Sequence, residues 1–206
     1  MNGSATCSGS LVNKTAQDAT PYFLTADHCI GGLDALGDMG ASGYVFYWDY
    51  ERVSCDNTCP VPINTTSGAI LLANNVDSDF ALFRLTESPN INFTPYFNGW
   101  SAEQTPIQGG VGIHHPALDA KKIATHSMVP TNSSVSSVVG NFWRILWDPT
   151  TNGHSVTEGG SSGSALFNSE SRIIGQLFGG SSLNCSDPAN DQGLYGKIAY
   201  SWDADG

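Results

Sequence analysis

The chain has 206 residues, of which 13% are charged, 40% are hydrophobic and 23 are glycine. This composition excludes a disordered polymer and points to many short strands joined by tight turns. A formal net charge of -11 repels phosphate backbones and anionic headgroups, so nucleic acid and membrane surfaces are unfavourable partners, and neutral or cationic polypeptides are better ones. No apolar run reaches the ~18 residues of a spanning helix. The N-terminus lacks the basic and apolar regions of a signal peptide, so a secreted form is expected to have lost its signal.

In chain order, apolar runs of strand length bounded by Gly, Asn, Asp and Pro cover residues 9–12, 22–25, 43–48, 68–72 and 80–85. A Pro-containing stretch at 87–96 follows, and then a second set at 109–114, 123–128, 142–147, 164–167, 172–178 and 193–199. No long segment keeps a helical period, and residues 132–137 read as a Ser-rich loop. The pattern is all-β, and two packed antiparallel barrels or one large sandwich would both satisfy it. Cys7, Cys29, Cys55, Cys59 and Cys185 lack the spacing of a tetrahedral zinc site, so no metal is expected. Disulfides are the better reading, and an odd count leaves one thiol over.

Three local patterns carry chemistry. The first is Gly159-Gly160-Ser161-Ser162-Gly163-Ser164, a small-residue turn entering an apolar strand. It can expose a hydroxyl while backbone N–H groups converge on one point, although such a turn also serves as a plain linker. The second is His28, at the end of the apolar run Phe23-Leu24-Thr25-Ala26 and beside Cys29. It can be a general base on a fixed backbone or a structural histidine. The third is Asp79, at the head of Phe80-Ala81-Leu82-Phe83, where a carboxylate can orient an imidazole or merely cap a turn. Together they are the complete set for acyl transfer: nucleophile, base and orienting acid, each at a strand end.

Thr25-Ala26-Asp27-His28-Cys29, Asp79-Phe80-Ala81-Leu82 and Gly160-Ser161-Ser162-Gly163-Ser164 resemble the active-site motifs of trypsin-like serine proteases, in the same order. The chain is most similar to the bacterial lysyl endopeptidases through Cys7-Ser8-Gly9-Ser10-Leu11, Gly112-Ile113-His114-His115-Pro116, Val156-Thr157-Glu158 and Gly175-Gln176-Leu177. The resemblance implies two antiparallel six-stranded-type β-barrels with the site between them. Residues 1–90 would carry His28 and Asp79, and residues 91–206 would carry Ser162 and the specificity pocket. It also implies a triad of His28, Asp79 and Ser162, an oxyanion hole at the N–H groups of Gly160 and Ser162, and no cofactor. A Cys7–Cys29 disulfide follows from the same resemblance, with Cys55 and Cys59 closing on each other. The first barrel is expected to lack an N-terminal segment that would have held the partner of Cys185. The expected protein is a secreted, monomeric endopeptidase acting on polypeptides.

Specificity is less directly encoded. The position six before Ser162, where trypsin places its specificity acid, is Val156. In lysyl endopeptidases the resemblance places an aspartate two residues before a Tyr-Gly, a position held here by Gly193, with Asp191 offset by two. Asp191 in the pocket implies cleavage after Lys or Arg, whereas an open Gly193 implies an apolar pocket. Phe178 and Gly179 are expected to line the cleft, with Gly179 pairing with an extended substrate. The remaining alternative is a protease-like binding domain with impaired catalysis. An esterase of the nucleophile-elbow type would need the reverse chain order. His114 and His115, adjacent on a strand, face opposite ways and read as structural.

Overall fold

A computed structural model gives the fold and describes residues 7–31, 43–54, 64–135, 137–180 and 191–205. The expected Cys55–Cys59 bridge and Cys185 lie outside the described residues. The first half of the chain contributes β1 (Ser10–Val12), β2 (Tyr22–Ala26), β3 (Val45–Trp48), β4 (Asn64–Ser67), β5 (Ala69–Asn75) and β6 (Phe80–Leu85). The second half contributes β7 (Gly110–His114), β8 (Lys122–His126), β9 (Thr131–Ser133), β10 (Phe142–Leu146), β11 (Pro149–Thr150), β12 (Gly153–His154), β13 (Ala165–Asn168), β14 (Ile173–Gly180) and β15 (Gln192–Lys197). A short helix, α1 (Ile198–Asp205), follows them.

Antiparallel pairing orders one sheet β1-β2-β6-β5 and a second β8-β7-β13-β14-β15-β10-β9, with two-stranded ladders β3-β4 and β11-β12 beside them. Alternation along β6 explains the first sheet. Ala81, Phe83 and Leu85 are buried and join Leu11, Ile30, Phe46 and Leu71, while Arg84 faces out, as the two-residue side-chain period of a strand requires. The second sheet buries Trp143, Ile145, Trp147, Leu166, Leu177 and Tyr195 together. A third cluster joins the two sheets: Val12 and Leu24 from the first, Ala165, Phe167 and Ile173 from the second, and Ile198 from the helix. The connecting stretch is stitched to both sides, with Asn98 bridging to Val12 and Trp100 to Ile173.

The all-β class expected from the sequence is what forms. The pairings among the described residues are open ladders, however, not closed barrels. Three local expectations change. The run 193–199 leaves the strand after Lys197 and turns into α1. The Ser-rich loop overlaps the end of β9, whose backbone pairs with β10. The polar segment Asn64–Ser67, with no apolar alternation, is held as a strand by its partner β3.

The Cys7–Cys29 disulfide expected from the resemblance is present, spanning 22 residues and tying the start of β1 to the turn after β2. Loop-closure entropy makes such a cross-link worth about 3 kcal/mol. Replacing both cysteines by serine is expected to lower the unfolding free energy by about that amount in a urea titration. An unchanged midpoint would mean that β1 is held by its pairing alone.

Candidate active site

His28 lies in the single 3-10 turn Asp27–Cys29 that ends β2, where the strand's backbone sets its direction. Asp79 immediately precedes β6, the strand paired with β2, so register brings the two together. Asp79 adopts φ 56, a left-handed conformation that Asp tolerates better than most residues. Its carboxylate makes two bonds to the same residue. Oδ1 accepts the His28 backbone N–H at 2.8 Å, and Oδ2 meets His28 Nδ1 at 2.7 Å. The Asp79 side chain is 6% exposed and the His28 side chain 40% exposed. A buried acid therefore orients an imidazole whose other edge reaches solvent.

Further bonds fix the acid. The Asp27 N–H donates to Asp79 O at 2.9 Å, and Asn74 Nδ2 donates to Asp27 Oδ1 at 2.7 Å. From the second sheet, Gln176 Nε2 donates to Ser78 O at 2.8 Å and to Asp79 O at 3.3 Å. The hydrogen bond from Asp79, opposed by partial burial, holds the His28 pKa above its usual 6.5, because the carboxylate favours the charged ring.

Ser162 follows Gly160 (φ 94) and precedes Gly163 (φ 79). Both glycines are required: a Cβ at Gly160 would lie 2.8 Å from His115 O, and one at Gly163 would run into Ser8 O and Thr25. The Ser162 carbonyl accepts the Ser8 N–H at 2.8 Å. Ser8 adjoins Cys7, which is bonded to Cys29, the neighbour of His28. The structure thus places Ser162 beside the His28 turn through one hydrogen bond and one disulfide. Among the described residues no hydrogen bond joins Ser162 to His28, a contact that commonly closes only when substrate is bound. The N–H groups of Ser161, Gly163 and Ser164 are consumed by Glu158 O, Leu177 O and Ser161 O. Those of Gly160 and Ser162 have no partner among the described residues.

The remaining predicted site residues surround this centre. Phe178 sits in a bulge of β14 against β15, and the bulge re-aims its ring, which meets His28 edge-on with centroids 5.9 Å apart. Beyond its chain neighbours, no heavy atom of the described residues lies within 4 Å of the position a Cβ of Gly179 would take. Gly193 is buried, and a Cβ there would meet Tyr195 and Ile145. Asp191 is fully buried just before β15, and neither carboxylate oxygen has a partner among the described residues. Burial pushes its pKa up to about 6, with His154 pulling the other way. Cys7, His28 and Cys29 bring three potential metal-ligand atoms within 4.8 Å, but the two sulfurs are spent in the disulfide.

A family model described as "Lysyl endopeptidase, C-terminal domain" matches residues 1–196. The chain belongs to this lysyl endopeptidase C-terminal domain family. It is 30% identical over 205 residues to the lysyl endopeptidase of Pseudomonas aeruginosa, an alignment covering 94% of this chain and 41% of that protein. The chain therefore spans about two fifths of that relative's length. Among solved structures, the HtrA-type protease AlgW with a decapeptide matches at TM-score 0.58 and 15% identity, covering 96% of this chain and 50% of that one. The same protease with a tripeptide matches at TM-score 0.59 and 15% identity, covering 96% and 53%. These likenesses establish a trypsin-like protease fold.

Ser8, Gln176 and Asn74 were not singled out by sequence as partners of the site. Their bonds reach across the chain, and no local motif announces them. If the Asp79 carboxylate raises the His28 pKa, then NMR titration of the imidazole gives a value above 6.5 in the wild type and a lower one in Asp79→Asn. Equal values would remove the electrostatic coupling.

Proposed function

We propose that the chain is a secreted, monomeric serine endopeptidase working through an acyl-enzyme, with His28, Asp79 and Ser162 as its triad and Lys or Arg as the residue before the cleaved bond. One observation carries the reading: Asp79 holds both the backbone and the Nδ1 edge of His28, beside a glycine-framed loop that presents Ser162 and two unspent N–H groups. In this reading Ser162 Oγ attacks the scissile carbonyl and passes its proton to His28 Nε2. Asp79 keeps the proton on Nδ1, and the N–H groups of Gly160 and Ser162 receive the oxyanion. His28 then protonates the leaving amine, and water, deprotonated by the same imidazole, releases the acyl group.

Two barrels divided as residues 1–90 and 91–206 remain part of the proposal, supported by separate core clusters on either side of the connecting stretch. Secretion is supported by the disulfide, which persists in oxidising compartments. No helix among the described residues is long and apolar enough to cross a membrane. That the AlgW structures hold peptides supports polypeptides as the substrate class.

Asp191 supports the basic preference. A buried carboxylate with two unpartnered oxygens is costly unless a cation arrives to pair with it. A substrate ammonium or guanidinium would supply that partner in a low-dielectric site. The stability consequence has a definite sign. The pKa is raised in the folded chain from 3.8 to about 6, so the unfolded chain releases the proton first and stability is lost as pH rises through that window. Above it the deficit is roughly 1–3 kcal/mol.

Peptide amides carrying Lys, Arg, Phe, Leu or Glu before the scissile bond test this reading. Hydrolysis after Lys or Arg, abolished in Ser162→Ala and strongly weakened in Asp191→Asn, is the expected result, together with a higher melting temperature for Asp191→Asn at pH 8. Cleavage after Phe or Leu unaffected by Asp191→Asn would replace the basic pocket by an apolar one. No turnover of any peptide would favour the impaired protease-like domain.

A further inference from the structure

The loop 158–162 is gripped from one side by residues 114–118, a segment to which the triad chemistry gives no part. β7 ends at His114, and the turn Pro116–Leu118 follows with both Ala117 (φ 52) and Leu118 (φ 61) in the left-handed region. Two consecutive non-glycine residues there are strained, and such strain persists only where surrounding contacts impose it. What the strained turn achieves is visible. The Ala117 N–H donates to Gly159 O at 2.7 Å. In a trans peptide the carbonyl and the N–H point opposite ways, so this bond turns the Gly160 N–H away from residues 114–118 and leaves it unspent. The next carbonyl, Gly160 O, accepts the Ser8 hydroxyl at 2.8 Å, and that hydroxyl oxygen accepts the His115 N–H at 3.0 Å.

The third anchor is a side-chain pair. His114 is 2% exposed and Ser161 is fully buried, with His114 Nδ1 2.8 Å from Ser161 Oγ. Ser161 Oγ also accepts the Glu158 N–H at 3.1 Å. One lone pair therefore closes the turn, and the single hydroxyl proton is free for His114 Nδ1. Burial, reinforced by neighbouring His115, pushes the His114 pKa down to about 4, so the ring is neutral at neutral pH and can accept that proton.

Resting on the proposed endopeptidase reading, we propose that His114 is a positioning residue. Through Ser161 it holds the 158–162 peptides so that the Gly160 and Ser162 N–H groups converge before substrate arrives. The oxyanion site is then preformed by a neutral histidine–serine bond and a strained turn, without any charged group in the loop's anchor.

The test compares His114→Phe, which keeps a ring and loses the acceptor, with His114→Asn, whose amide oxygen can replace Nδ1. Ser161→Ala and the His114→Phe/Ser161→Ala double variant complete the set. Each is assayed for kcat and KM on the best peptide amide and for inhibition by a peptidyl boronic acid, which forms the tetrahedral adduct. The expected result is a kcat about 100-fold lower in His114→Phe and in Ser161→Ala, with KM within about 3-fold and boronate affinity falling in parallel with kcat. The double variant should be no worse than either single one, and His114→Asn should recover most of the loss. Should His114→Phe fail to fold, Ser161→Ala, which deletes one hydroxyl, carries the same comparison. Unchanged kcat, additive losses, or boronate affinity preserved while melting temperature falls would overturn the role of His114 and leave the protease reading intact. A wild-type chain that cleaves nothing overturns the protease reading itself and this inference with it.

Discussion

Ser8 is where the two halves of the site are joined. Its N–H holds Ser162 O, its hydroxyl holds Gly160 O, its hydroxyl oxygen receives the His115 N–H, and its carbonyl receives the Thr25 hydroxyl at 2.9 Å. Two of these bonds reach the serine loop, one reaches the segment after β7, and one reaches the strand leading to His28. The disulfide from Cys7 to Cys29 gives this residue a covalent reference to the histidine turn. Catalysis of the proposed kind tolerates displacements of well under an ångström, and here the proposed base, His28, follows a strand of one sheet while the proposed nucleophile, Ser162, leads into a strand of the other. Short-range bonding at Ser8, together with Gln176 reaching back to the Ser78 and Asp79 carbonyls, is what converts sheet packing into site geometry.

The site is assembled at a cost to the fold. Asp79, Ala117 and Leu118 occupy left-handed backbone conformations, each worth of order 1–3 kcal/mol of strain. Among the described residues, Asp191 buries both carboxylate oxygens and Thr157 its hydroxyl oxygen without a hydrogen-bond partner. Unsatisfied groups of this kind are rare in a packed interior. The apolar clusters of the two sheets and the shared cluster of Val12, Leu24, Ala165, Phe167, Ile173 and Ile198 offset that cost.

Much of the fold was legible because β2, β6, β10 and β14 are apolar runs bounded by turn residues, which is the strongest local strand signal. β4 escaped because Asn64-Thr65-Thr66-Ser67 is polar throughout and is a strand only by virtue of its pairing with β3. The end of β15 escaped because Ile198-Ala199 suits strand and helix equally, and packing against both sheets decided for the helix. His28, Asp79 and Ser162 are proposed from motifs, each near a strand end with distinctive neighbours, and the structure brings His28 and Asp79 into contact. Ser8 to Gly160 spans 152 residues and Gln176 to Ser78 spans 98, distances at which a single sequence carries no pairing signal. The two adjacent histidines were correctly read as facing apart: His114 turns inward to Ser161, while His115 stacks on Tyr50 with centroids 5.7 Å apart.

Ser162 is proposed as a nucleophile activated by the His28–Asp79 pair. Labelling the folded chain with a fluorophosphonate and mapping the adduct by peptide mass spectrometry tests it most directly. A single stoichiometric adduct on Ser162 is expected, formed faster as pH rises through the His28 titration and slowed by orders of magnitude in His28→Ala. An adduct spread over several serines, or labelling of Ser162 indifferent to loss of His28, would contradict it.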